Sequence, residues 1–296
     1  VWDPGNGAIG TIIHKIVNKI GGINIILNRT IDSNFPNHHP DPTIPKNITQ
    51  ISNYIKENSF DLGIAFDGDG DRVGIIDNKG ELIYSDIIFL LLVLDLHKEK
   101  KNLTAIADVK CSKVLFDVLK KKKINILMSK TGHSLIKEMI ENKKADIAGE
   151  MSGHIFYKYK YYGYDDAIYA SLKLIKLVNL SSKNLNELAK PYITSLSTPE
   201  IKLYCDELNK FNLIRDIIQK LIPAYKTAHI IKIDGIRVET DNFWFLIRAS
   251  NTQNCLVFRL EHFKVNEFKF ELTKIMKIFS YFDLDIEELI SFNNTV

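Results

Sequence analysis

Apolar positions along the chain follow two rhythms. Ile9, Ile12, Ile13, Ile16, Val17 and Ile20 recur at helical spacing and are closed by Gly21-Gly22, which predicts an amphipathic helix over 8–20. Residues 23–27 then predict a strand, and 48–54 a second helix. Two short apolar runs, 62–66 and 73–76, have strand length and flank a polar loop, and Asn78-Lys79-Gly80 reads as a turn that places a domain boundary near residue 80. An apolar helix is expected from Asp86 to about Leu96, followed by strands at 105–109 and 124–128 around a helix at 112–122. A helix carrying Leu135, Ile136, Met139 and Ile140, short strands at 146–148 and 155–157, and a helix at 165–178 complete this part. From residue 105 on, strand alternating with helix predicts a mainly parallel sheet covered on both faces, with ligands at the carboxyl ends of its strands.

The order changes after Thr198-Pro199. A strand at 201–204 and a helix at 206–221 precede strands at 230–233, 235–238, 243–249 and 256–260, with a last helix at about 266–279. Strands that follow one another without crossover helices predict an antiparallel α+β domain. The fold class expected is thus α/β, two α/β domains followed by a smaller α+β domain.

Composition narrows the function classes. The chain has 296 residues, 45% hydrophobic and 25% charged, ordinary for a soluble globular protein of two or three domains. A net charge of +3 and a pI near 8.5 are too mild to argue for nucleic acid, and Lys120-Lys121-Lys122-Lys123 reads as a solvated helix end. Cys111, Cys205 and Cys255 stand in no metal or disulfide spacing, which suits small core residues in a reducing cytoplasm. The longest apolar run, Ile87 to Leu94, falls far short of the roughly 20 residues that a membrane helix needs. Val1-Trp2-Asp3-Pro4-Gly5-Asn6-Gly7 reads as a strand end running into a glycine turn, so the chain is expected to begin inside a domain, with an N-terminal portion outside it.

The candidate chemistry centres on Asp67-Gly68-Asp69-Gly70-Asp71-Arg72. Three carboxylates at alternate positions crowd together only around something positive, and oxygen donors favour Mg²⁺, Mn²⁺ or Ca²⁺. Gly68 and Gly70 are expected to let the backbone fold around the ion. A solvated turn is the bland alternative; a calcium EF-hand would need Gly at Arg72 and Glu at Asn78. Arg72 beside the ion suggests a ligand with its own negative charge, as in phosphoryl chemistry.

Other loops carry polar sets. Gly5-Asn6-Gly7 opens a helix and could hold phosphate, a weak signal alone; His38-His39 lies in a proline-rich loop that reads as structural or substrate-facing, with metal binding the alternative. Lys110 and His133 fall just after predicted strand ends. Glu150, Ser152 and His154 offer an acceptor, a donor and a titratable ring within five residues, suited to sugar hydroxyls and unlike a hydrolase nucleophile elbow. Arg248-Ala249-Ser250-Asn251-Thr252 offers charge and directional donors to a phosphate monoester, or else is a polar hairpin.

Taken in order, these loops closely resemble the α-D-phosphohexomutase family, specifically its bacterial phosphomannomutase/phosphoglucomutase branch, over nearly the whole length. The stretches 38–42, 108–111 and 131–134 add to the resemblance. It implies domain two at 1–80, domain three at 81–196 and domain four at 197–296, with a serine-bearing domain one outside this chain, since the family's Thr-x-Ser-His-Asn-Pro loop does not occur here. It also implies one Mg²⁺ on Asp67, Asp69 and Asp71, with Arg72, Lys110 and His154 catalytic. Lys110, His133, Glu150, Ser152, His154, Arg248, Ser250, Asn251 and Thr252 would bind substrate. The implied activity is that of an intramolecular phosphotransferase interconverting hexose 1-phosphate and hexose 6-phosphate, of mannose or glucose, through a phosphoserine and a hexose 1,6-bisphosphate that serves as intermediate and activator. The expected partners are the hexose phosphate and a separate domain-one chain, with no nucleic acid and no membrane. A non-catalytic sugar-phosphate-binding remnant is the alternative. Asn254 stands where the family commonly has Pro, and Met151 fits this branch better than the Gln typical of phosphoglucosamine mutases.

Overall fold

The apolar runs of the first 193 residues become the strands of two separate four-stranded sheets. This computed structural model describes residues 1–206, 209–250 and 253–295, and divides into two units, Val1–Ile193 and Thr194–Val296. In the first unit β1 (Trp2–Asp3) leads to α1 (Gly10–Val17), and α2 (Thr49–Asn58) leads to β2 (Gly63–Phe66), β3 (Val73–Ile76) and β4 (Leu82–Ile83). These strands lie in the order β1-β2-β3-β4, with only β1 and β2 parallel. Next come α3 (Ser85–Glu99), β5 (Thr104–Asp108), α4 (Lys113–Lys121), β6 (Asn125–Ser129), α5 (His133–Lys143), β7 (Ile147–Gly149), β8 (Ile155–Tyr157), α6 (Ala167–Asn179) and α7 (Leu185–Ala189). Their sheet runs β6-β5-β7-β8, parallel across its first three strands and antiparallel at the β8 edge, which follows β7 by a short loop and needs no crossover.

Helix α3 explains how the two sheets share one core. Its residues Ile87 to Val93 are all buried, an all-round apolar pattern suited to a helix with no solvent face. It lies against β3 on one sheet and β7 on the other, and Ile75, Phe89, Leu92 and Ile147 belong to one continuous cluster. Burying each such side chain is worth about 1.5–3 kcal/mol. Local signals set the neighbouring helices: the Ser112 hydroxyl caps α4 by accepting from the Val114 N–H at 3.0 Å, and Lys120 and Lys121 stand exposed at its carboxyl end.

Two expectations are corrected here. Residues 23–27 form no strand: Ile25 and Leu27 bond the backbone of Trp2 at 2.8 Å each, and Ile26 makes a single bridge, because β1 is only two residues long and offers no ladder to extend. The sheet of β1 to β4 is mixed, since β2, β3 and β4 are joined by short turns. The helix at 266–279 is not the last, for another follows it in the second unit.

That unit contains β9 (Leu196–Ser197), β10 (Ile201–Tyr204), α8 (Lys210–Leu221), β11 (His229–Ile231), β12 (Ile236–Glu239), β13 (Phe243–Ala249), β14 (Cys255–His262), α9 (Val265–Phe279) and α10 (Glu287–Thr295). Every strand pair is antiparallel, in the order β10-β14-β13-β12-β11 with β9 also on β14. Inward residues of β13 and β14, such as Phe245, Ile247, Phe258 and Leu260, pack with Ile217 of α8 and Phe268, Leu272 and Ile275 of α9. Among the described residues no helix is long and apolar enough to cross a membrane.

Candidate active site

The carboxylate loop spans the connection from β2 to β3 and is held by its own first acid. Asp67 is 3% exposed; one oxygen accepts the backbone N–H groups of Gly70 at 3.0 Å and Arg72 at 3.1 Å, and the other accepts Arg72 Nε at 2.7 Å. Gly70 adopts φ +82°, and a Cβ there would meet Ile9 Cδ1 at 2.5 Å, so the turn requires glycine. Gly68, in contrast, has no positive φ and its Cβ would make only ordinary contacts, so the sequence expectation for that position is corrected. The Gly68 carbonyl accepts the Ala8 N–H at 2.9 Å: the N-terminal glycine turn props the loop, and that amide is not available to phosphate.

Asp67, Asp69 and Asp71 each bring a carboxylate oxygen within 4.8 Å of the others, a spacing that one hard cation can gather with all-oxygen donors. The three therefore fit such an ion. Burial, the largest influence, raises the Asp67 pKa against the opposing pull of the Arg72 backbone and charge. Arg72 loses some of its preference for charge to burial but gains more from Asp67, Asp41 and Asp71, and remains cationic. Its Nη1 lies 3.4 Å from Asp41 Oδ1.

The loop between β7 and β8 is stitched directly to this one. Arg72 and His154 form an antiparallel bridge, and the Val73 N–H donates to the Gly153 carbonyl at 3.2 Å. Glu150 is 2% exposed and both its oxygens are engaged, Oε1 by the Gly132 N–H at 2.7 Å and Oε2 by His154 Nδ1 at 2.8 Å. Ser152 Oγ lies 3.0 Å from the same ring nitrogen. His154 Nε2 thereby faces Asp71 Oδ2 at 3.4 Å. Burial lowers the His154 pKa, but the bond to Glu150 and the charges of Glu150, Asp71 and Asp165 raise it on balance. Glu150 moves the opposite way: burial raises it, while His154, the Gly132 N–H and Lys110 hold it below the usual carboxylate range. Both directions favour the ion pair.

His133, at the start of α5, places its ring 5.5 Å from that of His154, with Nδ1 at 2.9 Å from Asp165 Oδ2. Lys137 holds the other Asp165 oxygen at 3.0 Å. Lys110 follows β5, buried, with Nζ at 4.0 Å from Asp108 Oδ2. Thus Asp67, Asp69, Asp71, Arg72, Lys110, His133, Glu150, Ser152 and His154 all lie in the first unit, and the two loops bring most of them together. The sequence reading missed Asp108 as a single residue. It is fully buried and accepts from the Met151 N–H at 3.2 Å, Cys111 Sγ at 3.0 Å and Thr131 Oγ1 at 3.3 Å, tying three loops to one carboxylate. It missed Asp165 as well; an Asp ahead of a helix looks like a cap, and its histidine partner is 32 residues away. His38 proves to be pinned, with Nε2 at 2.9 Å from the fully buried Asp3.

Arg248 and Ser250 belong to the second unit, at the end of β13. Arg248 Nε donates to Asp234 Oδ2 at 2.8 Å, while its buried Nη2 has no hydrogen-bond partner among the described residues. Ser250 Oγ accepts the Gln253 N–H at 3.1 Å, and buried Lys210 of α8 donates to the carbonyls of Ser250 at 2.9 Å and Gln253 at 3.2 Å. Asn251 and Thr252, also expected in this loop, lie outside the described residues.

Comparison with known proteins finds two family profiles along the first 195 residues. The profile described as phosphoglucomutase/phosphomannomutase, alpha/beta/alpha domain II, matches residues 1–80, and that of alpha/beta/alpha domain III matches residues 84–195. A phosphomannomutase/phosphoglucomutase of Pseudomonas syringae pv. tomato is 39% identical over 279 residues, 94% of this chain and 59% of that protein. A phosphoglucomutase/phosphomannomutase family protein from Burkholderia thailandensis has a crystal structure that superposes with a TM-score of 0.85 at 33% identity, covering 95% of this chain and 59% of that one. At 14% identity and a TM-score of 0.55, the Aspergillus fumigatus N-acetylphosphoglucosamine mutase, solved with GlcNAc-6P and magnesium, shares the fold over 94% of this chain and 64% of its own. The chain spans about three fifths of the length of such relatives.

Proposed function

The chain belongs to the phosphoglucomutase/phosphomannomutase family, and we propose that it is the hexose-phosphate-binding part of a phosphohexomutase, an isomerase moving a phosphoryl group between the 1- and 6-positions of mannose or glucose phosphate. The reading assigns residues 1–80, 81–196 and 197–296 to domains two, three and four, and places the enzyme in the cytoplasm. The observation that carries it is the bridge from Arg72 to His154, which puts a carboxylate loop for a cation, a guanidinium and a buried imidazole–carboxylate pair at one place. That set suits a phosphorylated polyol.

Asp67, Asp69 and Asp71 would hold Mg²⁺, which supplies positive charge to the transferring phosphoryl group. Arg72, fixed by Asp67, adds a guanidinium on the same side. Glu150 orients His154 and favours its charged form, so His154 would donate a hydrogen bond to the substrate or assist proton transfer. His133, bonded to Asp165 through Nδ1, presents Nε2 to a sugar hydroxyl and takes its proton as the oxygen attacks phosphorus. Lys110 and Ser152 complete the sugar contacts, and Arg248, Ser250, Asn251 and Thr252 grip the phosphate that is not reacting.

In the first transfer, the phosphorus–oxygen bond to a phosphoserine breaks as one forms to the free hydroxyl of the hexose phosphate. The resulting 1,6-bisphosphate returns its other phosphate to the serine. The carrier serine is assigned to a domain outside these 296 residues, on the same polypeptide or on another.

The test supplies mannose 1-phosphate and a trace of glucose 1,6-bisphosphate to the purified chain, with and without a separately expressed, phosphorylated serine-bearing domain from a relative. Turnover is expected only in the mixture or a fusion. Turnover by the chain alone, abolished in Ser152→Ala, would assign the carrier to Ser152. No turnover in either format would leave a sugar-phosphate-binding remnant.

A further inference from the structure

Four side chains beside the carboxylate loop form a different kind of cluster. Asp71, His133, His154 and Asp165 each offer one donor atom, and the four atoms lie within 4.8 Å of one another. We propose that these residues form a second cation site, with two imidazoles and two carboxylates, that selects zinc-class ions over Mg²⁺ and shares Asp71 with the carboxylate loop.

Donor chemistry gives the selectivity. Mg²⁺ prefers six oxygens and dehydrates reluctantly, whereas imidazole nitrogen suits Zn²⁺, Cu²⁺ and Ni²⁺, and two nitrogens with two oxygens make a tetrahedral zinc set. Zinc bonds of about 2.0–2.2 Å set tetrahedral donor-to-donor edges of about 3.3–3.6 Å. His154 Nε2 to Asp71 Oδ2 at 3.4 Å already has that length, and His133 Nδ1 to Asp165 Oδ2 at 2.9 Å is near it. The remaining separations are at most 4.8 Å, which an ion would have to shorten by side-chain rotation.

The supporting contacts are those of a prepared site. A metal-binding histidine commonly gives its other ring nitrogen to a carboxylate, which fixes ring orientation and increases ligand basicity. Glu150 does this for His154, since Oε2 takes Nδ1 at 2.8 Å and leaves Nε2 toward Asp71. Glu150 is in turn fixed by the Gly132 N–H immediately before His133. Lys137 holds Asp165 Oδ1 at 3.0 Å and reaches Oδ2 only at 3.4 Å, so the shorter contact of Oδ2 is the one to His133 at 2.9 Å. All of these residues belong to the first unit and come from four separate loops or helix starts.

Sharing Asp71 makes the two cations antagonists. An ion on the histidines would draw Asp71 from the loop and occupy the imidazoles that face the sugar. Inhibition of turnover by zinc would follow, a consequence that rests on the proposed mutase reading, whereas binding itself does not.

Binding is therefore tested directly, by chelator competition with Zn²⁺ on the purified chain and on His133→Ala, Asp165→Asn and Asp69→Asn, each checked for an unchanged circular dichroism spectrum and melting temperature. One tight equivalent is expected in the parent and in Asp69→Asn, weakened at least tenfold in both His133→Ala and Asp165→Asn, with two imidazoles in the zinc X-ray absorption spectrum. His133 is half exposed, so that variant should fold even if Asp165→Asn does not. Zinc binding lost in Asp69→Asn but kept in His133→Ala would place the ion on the carboxylate loop and overturn the proposal. So would an affinity indifferent to both cluster variants, which the other histidines of the chain could produce, or no tight binding at all.

Discussion

The Val73 N–H donates to the Gly153 carbonyl at 3.2 Å, so the strand that leaves the carboxylate loop is bonded to the loop that carries Glu150, Ser152 and His154. Gly153 has φ +103°, and a Cβ there would stand 2.7 Å from the Val73 carbonyl oxygen and 3.1 Å from its nitrogen. Gly153→Ala should lower unfolding free energy by about 2–3 kcal/mol, through backbone strain and the clash together. Urea titration measures it. An alanine variant as stable as the parent would show that the two loops are not held at this distance.

Magnesium binding should separate the roles of the carboxylates. Asp69 is exposed, whereas Asp67 is spent on the Gly70 and Arg72 bonds. Asp69→Asn should weaken Mg²⁺ at least tenfold by calorimetry while leaving stability within about 0.5 kcal/mol. Asp67→Asn should weaken Mg²⁺ and also cost about 1–3 kcal/mol of stability, because a buried acceptor of three hydrogen bonds is changed. Equal Mg²⁺ affinity in parent and Asp69→Asn would remove the loop as the cation site.

Arg248→Ala should cost about 2–4 kcal/mol of glucose 6-phosphate binding, roughly 30- to 1,000-fold in Kd, as truncating other charge-assisted phosphate contacts does. Asp234 holds Nε and orients the guanidinium, so Asp234→Asn should weaken binding less. An unchanged Kd in Arg248→Ala would take this loop out of the site.

Stability should fall with rising pH through His38. Its pKa is raised above 6.5, chiefly by the bond to Asp3, so the protonated ring is favoured in the folded chain. The stabilisation is complete below the unfolded value and is lost as pH rises through the higher folded one. Urea midpoints from pH 6 to pH 9 should decline more steeply for the parent than for His38→Gln. Parallel curves would mean that the Asp3 pair carries no linked proton.

The sequence by itself determined the elements, because helical and strand periodicities need only each residue's neighbours. The strands flanking Asp67 to Arg72, the all-apolar helix from Ile87 to Val93 and the antiparallel order after Thr198 could all be read that way. Three alternating carboxylates between buried strands likewise marked a candidate cation loop without a structure. Tertiary structure alone decided how each polar side chain is used. Glu150 reads in the sequence as a polar group beside Ser152 and His154, and folding bonds its two oxygens to the Gly132 N–H and the His154 ring. Asp165 sits 32 residues from His133, and Asp108 lies 43 from Met151, and no local pattern announces such pairings. The strand expected at 23–27 failed for the same reason: its residues are apolar enough, but a strand exists only where a partner is long enough to complete its ladder, and β1 offers two residues. Hydrogen bonds and ion pairs between distant residues depend on distances that folding creates, so the chain's chemistry was legible as an inventory and became a site only through its contacts.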